Sequence, residues 1–221
     1  MAFYLYDLGN VKGRSTSPYG WRVREALHFL SLPYEAELLG FTEIPQKFSG
    51  RHKTVPVLVD GEHEIADSWT ITRYLAKKYD PNNILFGGTD GYSLSCFVTR
   101  WVDASVIIAV LKIVIKDLYD GCGEADRSYL RVKEEKRFGQ TLEELHEARE
   151  TELPALQNCL HPARLAIKDR PFLGGENPTF ADMALHSTFQ WARRVSDFEL
   201  LRADDRLHCW IKRMDDWTTN N

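Results

Sequence analysis

Residues 14–27 have the sequence RSTSPYGWRVREAL, and this stretch decides how the first part of the chain folds. Three hydroxyl side chains come just before Pro18, a residue that suits the first turn of a helix. Apolar side chains then recur at i, i+3, i+4 and i+7, the spacing of one helix face: Val23, Ala26, Leu27 and Leu30. The pattern predicts a strand, a hydroxyl-rich loop and a helix that begins at Pro18.

Ser17 stands at the predicted start of this helix, and two interpretations of it are open. Its side-chain oxygen suits a helix N-cap, a role that requires nothing else in the chain. The unpaired N–H groups and the positive end of the helix dipole also favour a bound anion, such as a thiolate. The stretch by itself does not separate the two roles.

The composition limits the class of protein. The 221 residues are 43% apolar and 27% charged, which is typical of a soluble protein with one or two domains. The net charge of −4 comes from well-mixed charges, so we expect small-molecule partners and neither nucleic acid nor a membrane surface. The longest apolar run, residues 106–115, contains Lys112 and is shorter than a membrane-spanning helix.

The cysteines are widely and unevenly spaced, with no C-x-x-C pair: Cys96, Cys122, Cys159 and Cys209. This spacing argues against a disulfide framework, a redox dithiol and a zinc site. The first residues lack a signal-peptide pattern, so we expect a cytoplasmic location. His146-Glu147 resembles the start of a zinc-protease motif, but Glu150 occupies the position of the second histidine, and no metal is predicted.

The first part of the chain alternates strand and helix patterns. Residues 3–8 and 34–39 predict strands on either side of the first helix. Residues 57–59 predict a third strand, and Asp60-Gly61 favours a tight turn into a fourth at residues 62–65. Asp67-Ser68 then opens a helix that continues through Tyr79.

The second part of the chain is predicted to be helical. The turn-rich residues 80–88 separate a domain at residues 1–82 from a domain at residues 89–221. Long helices are predicted at residues 90–120, 128–160 and 204–217. Thr179 and Asp182 form a capping-box pattern before a strongly apolar helix, and we interpret this pair as structural rather than catalytic.

Four features at matched spacing resemble the cytosolic glutathione transferases over essentially the whole chain. They are the serine loop before the first helix, Val55-Pro56, Asp67-Ser68, and the segment GGENPTFAD at residues 174–182. The resemblance implies an α/β, thioredoxin-like N-terminal domain and an all-α C-terminal domain. The stretches SPYGWR at residues 17–22, GRHKTVPV at 50–57 and DSW at 67–69 most resemble the serine-type, lignin β-etherase-like classes.

The resemblance also implies a binding site for glutathione as cosubstrate. Ser17 would donate a hydrogen bond to the thiolate, with Ser15 and Thr16 as alternative hydroxyls. The glutathione-binding residues would be Lys53, Val55, Pro56, Asp67 and Ser68. Val55 precedes a cis Pro56 and offers its backbone to the cysteinyl part, while Asp67 and Ser68 hold the γ-glutamyl end. Lys53 meets the glycyl carboxylate, a role that Arg51 or His52 could share or replace.

The predicted protein is a homodimeric glutathione transferase whose thiolate attacks a hydrophobic, aromatic electrophile. Cleavage of β-aryl ethers is the favoured reaction. General conjugation, peroxide reduction and isomerisation are alternatives, as is a carrier of aromatic ligands with little turnover. Tyr19, Trp101 and Trp191 are available aromatics for the acceptor pocket, but each is equally suited to the core, so no acceptor residue is assigned.

Overall fold

The computed structural model describes residues 3–220, and its first part is a four-stranded sheet with three helices. The strands are β1 (Phe3–Leu8), β2 (Tyr34–Leu39), β3 (Val57–Asp60) and β4 (His63–Ala66). Their order is β2-β1-β3-β4, with β1 parallel to β2 and antiparallel to β3. The helices are α1 (Pro18–Phe29), α2 (Glu43–Lys47) and α3 (Ser68–Tyr79). The predicted thioredoxin-like architecture is confirmed.

The rest of the described chain is helical, as predicted. Its helices are α4 (Thr89–Trp101), α5 (Ile107–Asp120), α6 (Glu124–Phe138), α7 (Leu142–Glu147), α8 (Arg149–Ala166), α9 (Phe180–Val195) and α10 (Leu207–Asn220). A π-helical segment, Val102–Val106, joins α4 to α5, so the predicted helix at residues 90–120 contains one wider turn. Helix α9 is buried along most of its length and packs against α1, α4 and α5.

The prediction of one helix over residues 128–160 is wrong. Helix α6 ends at Phe138, and the φ of +67° at Gly139 then takes the backbone into the left-handed region. Helix α7 then starts from Thr141, whose side chain and that of Glu144 form a reciprocal capping box. The predicted last helix is also displaced, because it begins at Leu207 rather than at residue 204.

Buried ion pairs join α1 to the helical part of the chain. The fully buried Arg22 lies 2.7 Å from Asp103. Glu25 contacts Nδ1 of His186 at 3.0 Å, and Asp215 contacts its Nε2 at 3.1 Å. Burial opposes protonation of the imidazole, but the two carboxylates outweigh it and raise the pKa of His186 to about 9. These contacts fix α1 against α9, and therefore the position of the residues at the start of α1.

The division into domains at residues 1–82 and 89–221 stays a prediction, and its outer ends, residues 1 and 221, lie outside the described residues. All four cysteines are free thiols. Within residues 3–220, no helix has both the length and the apolar character required to cross a bilayer.

Candidate functional site

A cleft of about 310 Å³ lies where the first turn of α1 faces helices α5 and α6. Its lining includes all six residues that the sequence predicted for the site: Ser17, Lys53, Val55, Pro56, Asp67 and Ser68. They come from three separate loops of the sheet domain, and the fold brings them to one place. The opposite wall consists of residues from α5, α6 and α9.

Ser17 has the capping role that its sequence position suggested, and its own hydroxyl hydrogen is not used by it. Its Oγ accepts a hydrogen bond from the backbone N–H of Gly20 at 3.1 Å, so it is the N-cap of α1. A hydroxyl that accepts still has its own hydrogen to donate. Within residues 3–220, that hydrogen has no recorded acceptor. Capping therefore leaves the O–H available to a ligand in the cleft.

The structure separates the two alternative hydroxyls. Ser15 donates to Oδ2 of the buried Asp7 at 2.6 Å and does not line the cleft. Arg24 contacts the same carboxylate oxygen at 3.0 Å, so Ser15 belongs to a buried polar network. Thr16 does line the cleft and stays the alternative to Ser17.

Residues of two further loops line the cleft beside Ser17. The Val55–Pro56 peptide bond is cis, as expected from the resemblance. The Asp67 carboxylate caps α3 through its Oδ1, which accepts from the N–H and the hydroxyl of Thr70 at 2.9 and 3.0 Å. Its Oδ2 remains uncommitted within the described chain. Asp67 has a φ of +75°, which non-glycine residues rarely adopt, and Ser68 follows it as the first residue of α3.

Three basic side chains stand near the cleft, and the structure distinguishes them. Arg51 and His52 both contact the Glu64 carboxylate, at 3.2 and 2.8 Å. Lys53 lines the cleft, is exposed, and has no ion pair or hydrogen bond of its side chain within the described residues. Lys53 is therefore the basic residue of this loop that is available to an anionic ligand.

The half of the cleft that faces the helical domain is mostly apolar. Its surface is formed by Ile107, Ile108, Leu111 and Trp191, together with the ring of Tyr19. Burial and the Asp103 carboxylate raise the pKa of Tyr19, although the nearby guanidinium groups oppose them. The phenol is thus neutral at neutral pH. Trp101, the third aromatic considered from the sequence, does not line the cleft.

Sequence reasoning missed the charged residues Lys133, Glu134 and Arg137, which line the cleft from α6. In the sequence they belong to a strongly charged helix, where charges usually form a solvated face. No local signal marks these three residues. Their position on the cleft follows from how α6 packs against the sheet domain.

A larger cavity of about 850 Å³ lies on the other side of the loop between β1 and α1. It shares Thr16 and Leu118 with the cleft but contains none of the six predicted site residues. Its wall contains both basic and acidic residues, so neither sign of charge defines it. Within residues 3–220, no group of three or more potential metal ligands is found.

The fold and the cleft together define a class of protein. A thioredoxin-like domain contributes two helix-capping residues and a loop with a cis proline to the lining of a cleft, and an all-helical domain forms the opposite wall. Models of known families agree with this class. Residues 13–83 match the N-terminal domain and residues 93–217 the C-terminal domain of glutathione S-transferases. The chain belongs to the glutathione S-transferase family.

Individual relatives agree with the family. A probable glutathione S-transferase from Glycine max is 29% identical over 76% of this chain, and the match spans only 64% of the soybean protein. Glutathione S-transferase U7 from Arabidopsis thaliana is 21% identical over 91% of this chain and 80% of its own length.

Solved structures show the same fold. A glutathione transferase from Phanerochaete chrysosporium superposes with a TM-score of 0.84 at 23% identity, over 98% of this chain and 97% of that one. A glutathione S-transferase from Ceriporiopsis subvermispora, solved in complex with glutathione, gives a TM-score of 0.82 at 17% identity, over 100% and 99% of the two chains.

Proposed function

We propose that this protein is a glutathione transferase in which a glutathione thiolate, stabilised by Ser17, attacks an electrophilic carbon. One observation carries the proposal: three features lie at the same cleft. They are a Ser17 hydroxyl whose hydrogen is free within the described chain, the cis Val55–Pro56 bond and the capped start of α3. A free thiol has a pKa near 8.5, so it is mostly protonated at neutral pH. A donated hydrogen bond and the N-terminus of α1 both favour the thiolate, the nucleophilic form.

The remaining site residues are proposed to hold the two ends of glutathione. The γ-glutamyl carboxylate would lie at the N-terminus of α3, where Ser68 offers a backbone N–H and a hydroxyl. The free oxygen of Asp67 would accept from the ammonium group. Val55 makes no recorded hydrogen bond with the described chain through its N–H, so it is available to pair with the cysteinyl part as an added strand would.

For the reaction, we propose cleavage of β-aryl ethers, supported by the resemblance of residues 17–22 to the serine-type β-etherase classes. The thiolate sulfur would bond to the β-carbon as the carbon–oxygen bond breaks, and the aryloxide would leave with the electron pair. The apolar and aromatic half of the cleft suits an aromatic electrophile. A cytoplasmic location stays a prediction.

Product analysis tests the proposed function. The protein is incubated with glutathione and a panel of aryl ethers, aryl halides and hydroperoxides, and products are identified by mass spectrometry. We expect glutathione thioethers to form from the ethers or halides faster than without protein, and Ser68→Ala to reduce that rate through a higher Kd for glutathione. Equal rates with and without protein across the panel would overturn the enzyme proposal in favour of a carrier of aromatic ligands.

Glutathione affinity should depend on the charge at Lys53. We expect Lys53→Ala to raise the Kd roughly fivefold, or about 1 kcal/mol, because the side chain is exposed and its interaction with the glycyl carboxylate is screened. The effect should shrink at high salt, since exposed charges interact over only about 8 Å at physiological ionic strength. Calorimetric titration with glutathione at low and high salt measures both.

Arg51→Ala is the matched control for Lys53, because it removes a cation of the same loop that is already paired with Glu64. We expect its Kd for glutathione to equal that of the unmodified protein. If Arg51→Ala or His52→Ala weakened binding while Lys53→Ala did not, the carboxylate contact would belong to those neighbours.

We further propose a homodimer that buries the outer face of α4. Leu94 and Phe97 lie one turn apart on this helix and are 52% and 70% exposed. In a two-fold dimer these side chains of both protomers are buried at the interface. Phe97→Asp should therefore shift the protein to monomers. Light scattering measures the mass. Val132→Asp, at a 72% exposed valine on α6, should leave it unchanged, and a dimer that survives Phe97→Asp would exclude this face.

A further inference from the structure

The half of the cleft that faces the helical domain, here called the acceptor half, has a cationic edge on helix α6. Lys133 and Arg137 are four residues apart, so they lie on the same face of the helix, and both line the cleft. Their side chains are 47% and 44% exposed. The two cations therefore remain accessible to a molecule that occupies the cleft.

These two cations share one carboxylate. Glu134, whose side chain is only 3% exposed, lies 3.4 Å from Lys133 and 3.4 Å from Arg137. Neither distance is that of a short, charge-assisted hydrogen bond. Along the cleft lining, Lys53 adds a third cation and Asp67 a second carboxylate, so the lining has an excess of positive charge.

An aromatic wall stands beside this edge. The rings of Phe41 and Tyr129 lie 5.7 Å apart across the two parts of the chain. The Lys133 ammonium is 5.8 and 5.6 Å from their centres, within the range of cation–π attraction. Lys133 is thereby held next to aromatic and apolar surface, which is the surrounding that an aromatic ring with an anionic substituent requires.

We propose that the electrophile is an aromatic anion, such as a substituted benzoate, whose carboxylate lies between Lys133 and Arg137. The inference rests on the proposed glutathione transfer and specifies the charge of its electrophile, whether that electrophile is an aryl ether or an aryl halide. The ring would lie on the apolar half of the cleft, and a guanidinium binds a carboxylate well because it offers paired N–H donors. With a chlorinated benzoate, the thiolate sulfur bonds to the ring carbon and chloride leaves with the electron pair of the broken bond.

Two electrophiles that differ only in charge test the proposal: 4-chloro-3,5-dinitrobenzoate and its uncharged amide. The kcat/KM ratio of benzoate to amide is compared between variants, so the intrinsic reactivities cancel. We expect Lys133→Gln combined with Arg137→Gln to lower the ratio by about tenfold, the effect of one lost interaction with a charged group. The decrease should be smaller at high salt.

Two further variants separate recognition of the anion from a structural role. Glu134→Gln removes the competing carboxylate with little change of shape, and we expect it to raise the ratio by about threefold, the scale of a weak charge–charge contact. Lys136→Gln removes an exposed cation of the same helix that does not line the cleft, and should leave the ratio unchanged. A lower ratio in Glu134→Gln would contradict the proposal.

Calorimetry with the two glutathione conjugates as ligands gives a readout that needs no turnover. Preference for the charged conjugate, lost in the double variant, supports an anion-binding site at Lys133 and Arg137. If no turnover is found as well, the site stands as a ligand site and only the proposed enzyme function is rejected. If the double substitution weakened binding of free glutathione as much as binding of the charged conjugate, Lys133 and Arg137 would be assigned to glutathione and the inference would be overturned. Equal affinity for both conjugates also overturns it, and failure to bind glutathione at all rejects both proposals.

Discussion

Ser17→Ala should lower turnover at pH 7 by about 8- to 25-fold while the Kd for glutathione changes little. This range follows if Ser17 holds the pKa of the bound thiol about one to two units below about 8.5, which stabilises the thiolate by about 1.4 to 3 kcal/mol. Ser17 would contact the thiolate, whereas other residues hold the two ends of the peptide. The pH–rate profile is the measurement. In the variant its rise should move toward pH 8.5, so the difference in rate should shrink as the pH increases.

Thr16→Val is the matched control for Ser17, because it removes the neighbouring hydroxyl of the same loop, which also lines the cleft, and nearly preserves the shape. In this variant the thiol of bound glutathione should have the same pKa as in the unmodified protein. An unchanged pKa in Ser17→Ala, with a raised pKa in Thr16→Val, would assign the thiolate contact to Thr16. Ser17 would then be a helix cap only, whose removal costs about 1 kcal/mol of stability.

Asp182→Ala should reduce the free energy of unfolding by about 4 kcal/mol or more. The fully buried carboxylate accepts hydrogen bonds from the N–H groups of Leu173, Gly174 and Thr179 and from the Trp210 indole, at 2.6 to 3.0 Å. Alanine would leave these buried donors without acceptors, at a cost of about 1–3 kcal/mol each. Because small domains are stable by only about 5–15 kcal/mol, this loss would remove a large share of the total stability.

Denaturant unfolding followed by circular dichroism measures the loss at Asp182. Asp169→Ala, at an exposed aspartate on the loop after α8, should change the free energy of unfolding by less than about 0.5 kcal/mol. A loss below about 1 kcal/mol in Asp182→Ala would show that other groups take over the four donors. The segment from Pro178 to Asp182 would then contribute less to the stability of the fold than its place at the start of α9 indicates.

The sequence by itself determined most of the architecture, because the signals that define it are local. Helix α1 follows from Pro18 and the i, i+3, i+4 pattern behind it, and the β3–β4 hairpin from Asp60-Gly61. The capping pair of Thr179 and Asp182 likewise marks the start of α9. Residues 128–160 do not form one helix, because Gly139 takes the left-handed conformation after α6 and Thr141 caps α7, although the charged pattern continues across both positions.

Only the tertiary structure decided which side chains are available to a ligand. The sequence leaves Ser15 and Thr16 as alternatives to Ser17, and the structure sets Ser15 apart because Asp7 accepts its hydroxyl hydrogen. Lys53 differs from Arg51 because Glu64, on a separate strand, pairs with Arg51. The cationic edge of the acceptor half exists because packing of α6 places Lys133 and Arg137 at the cleft. A side chain's role depends on partners distant in sequence, and neither spacing nor composition identifies them.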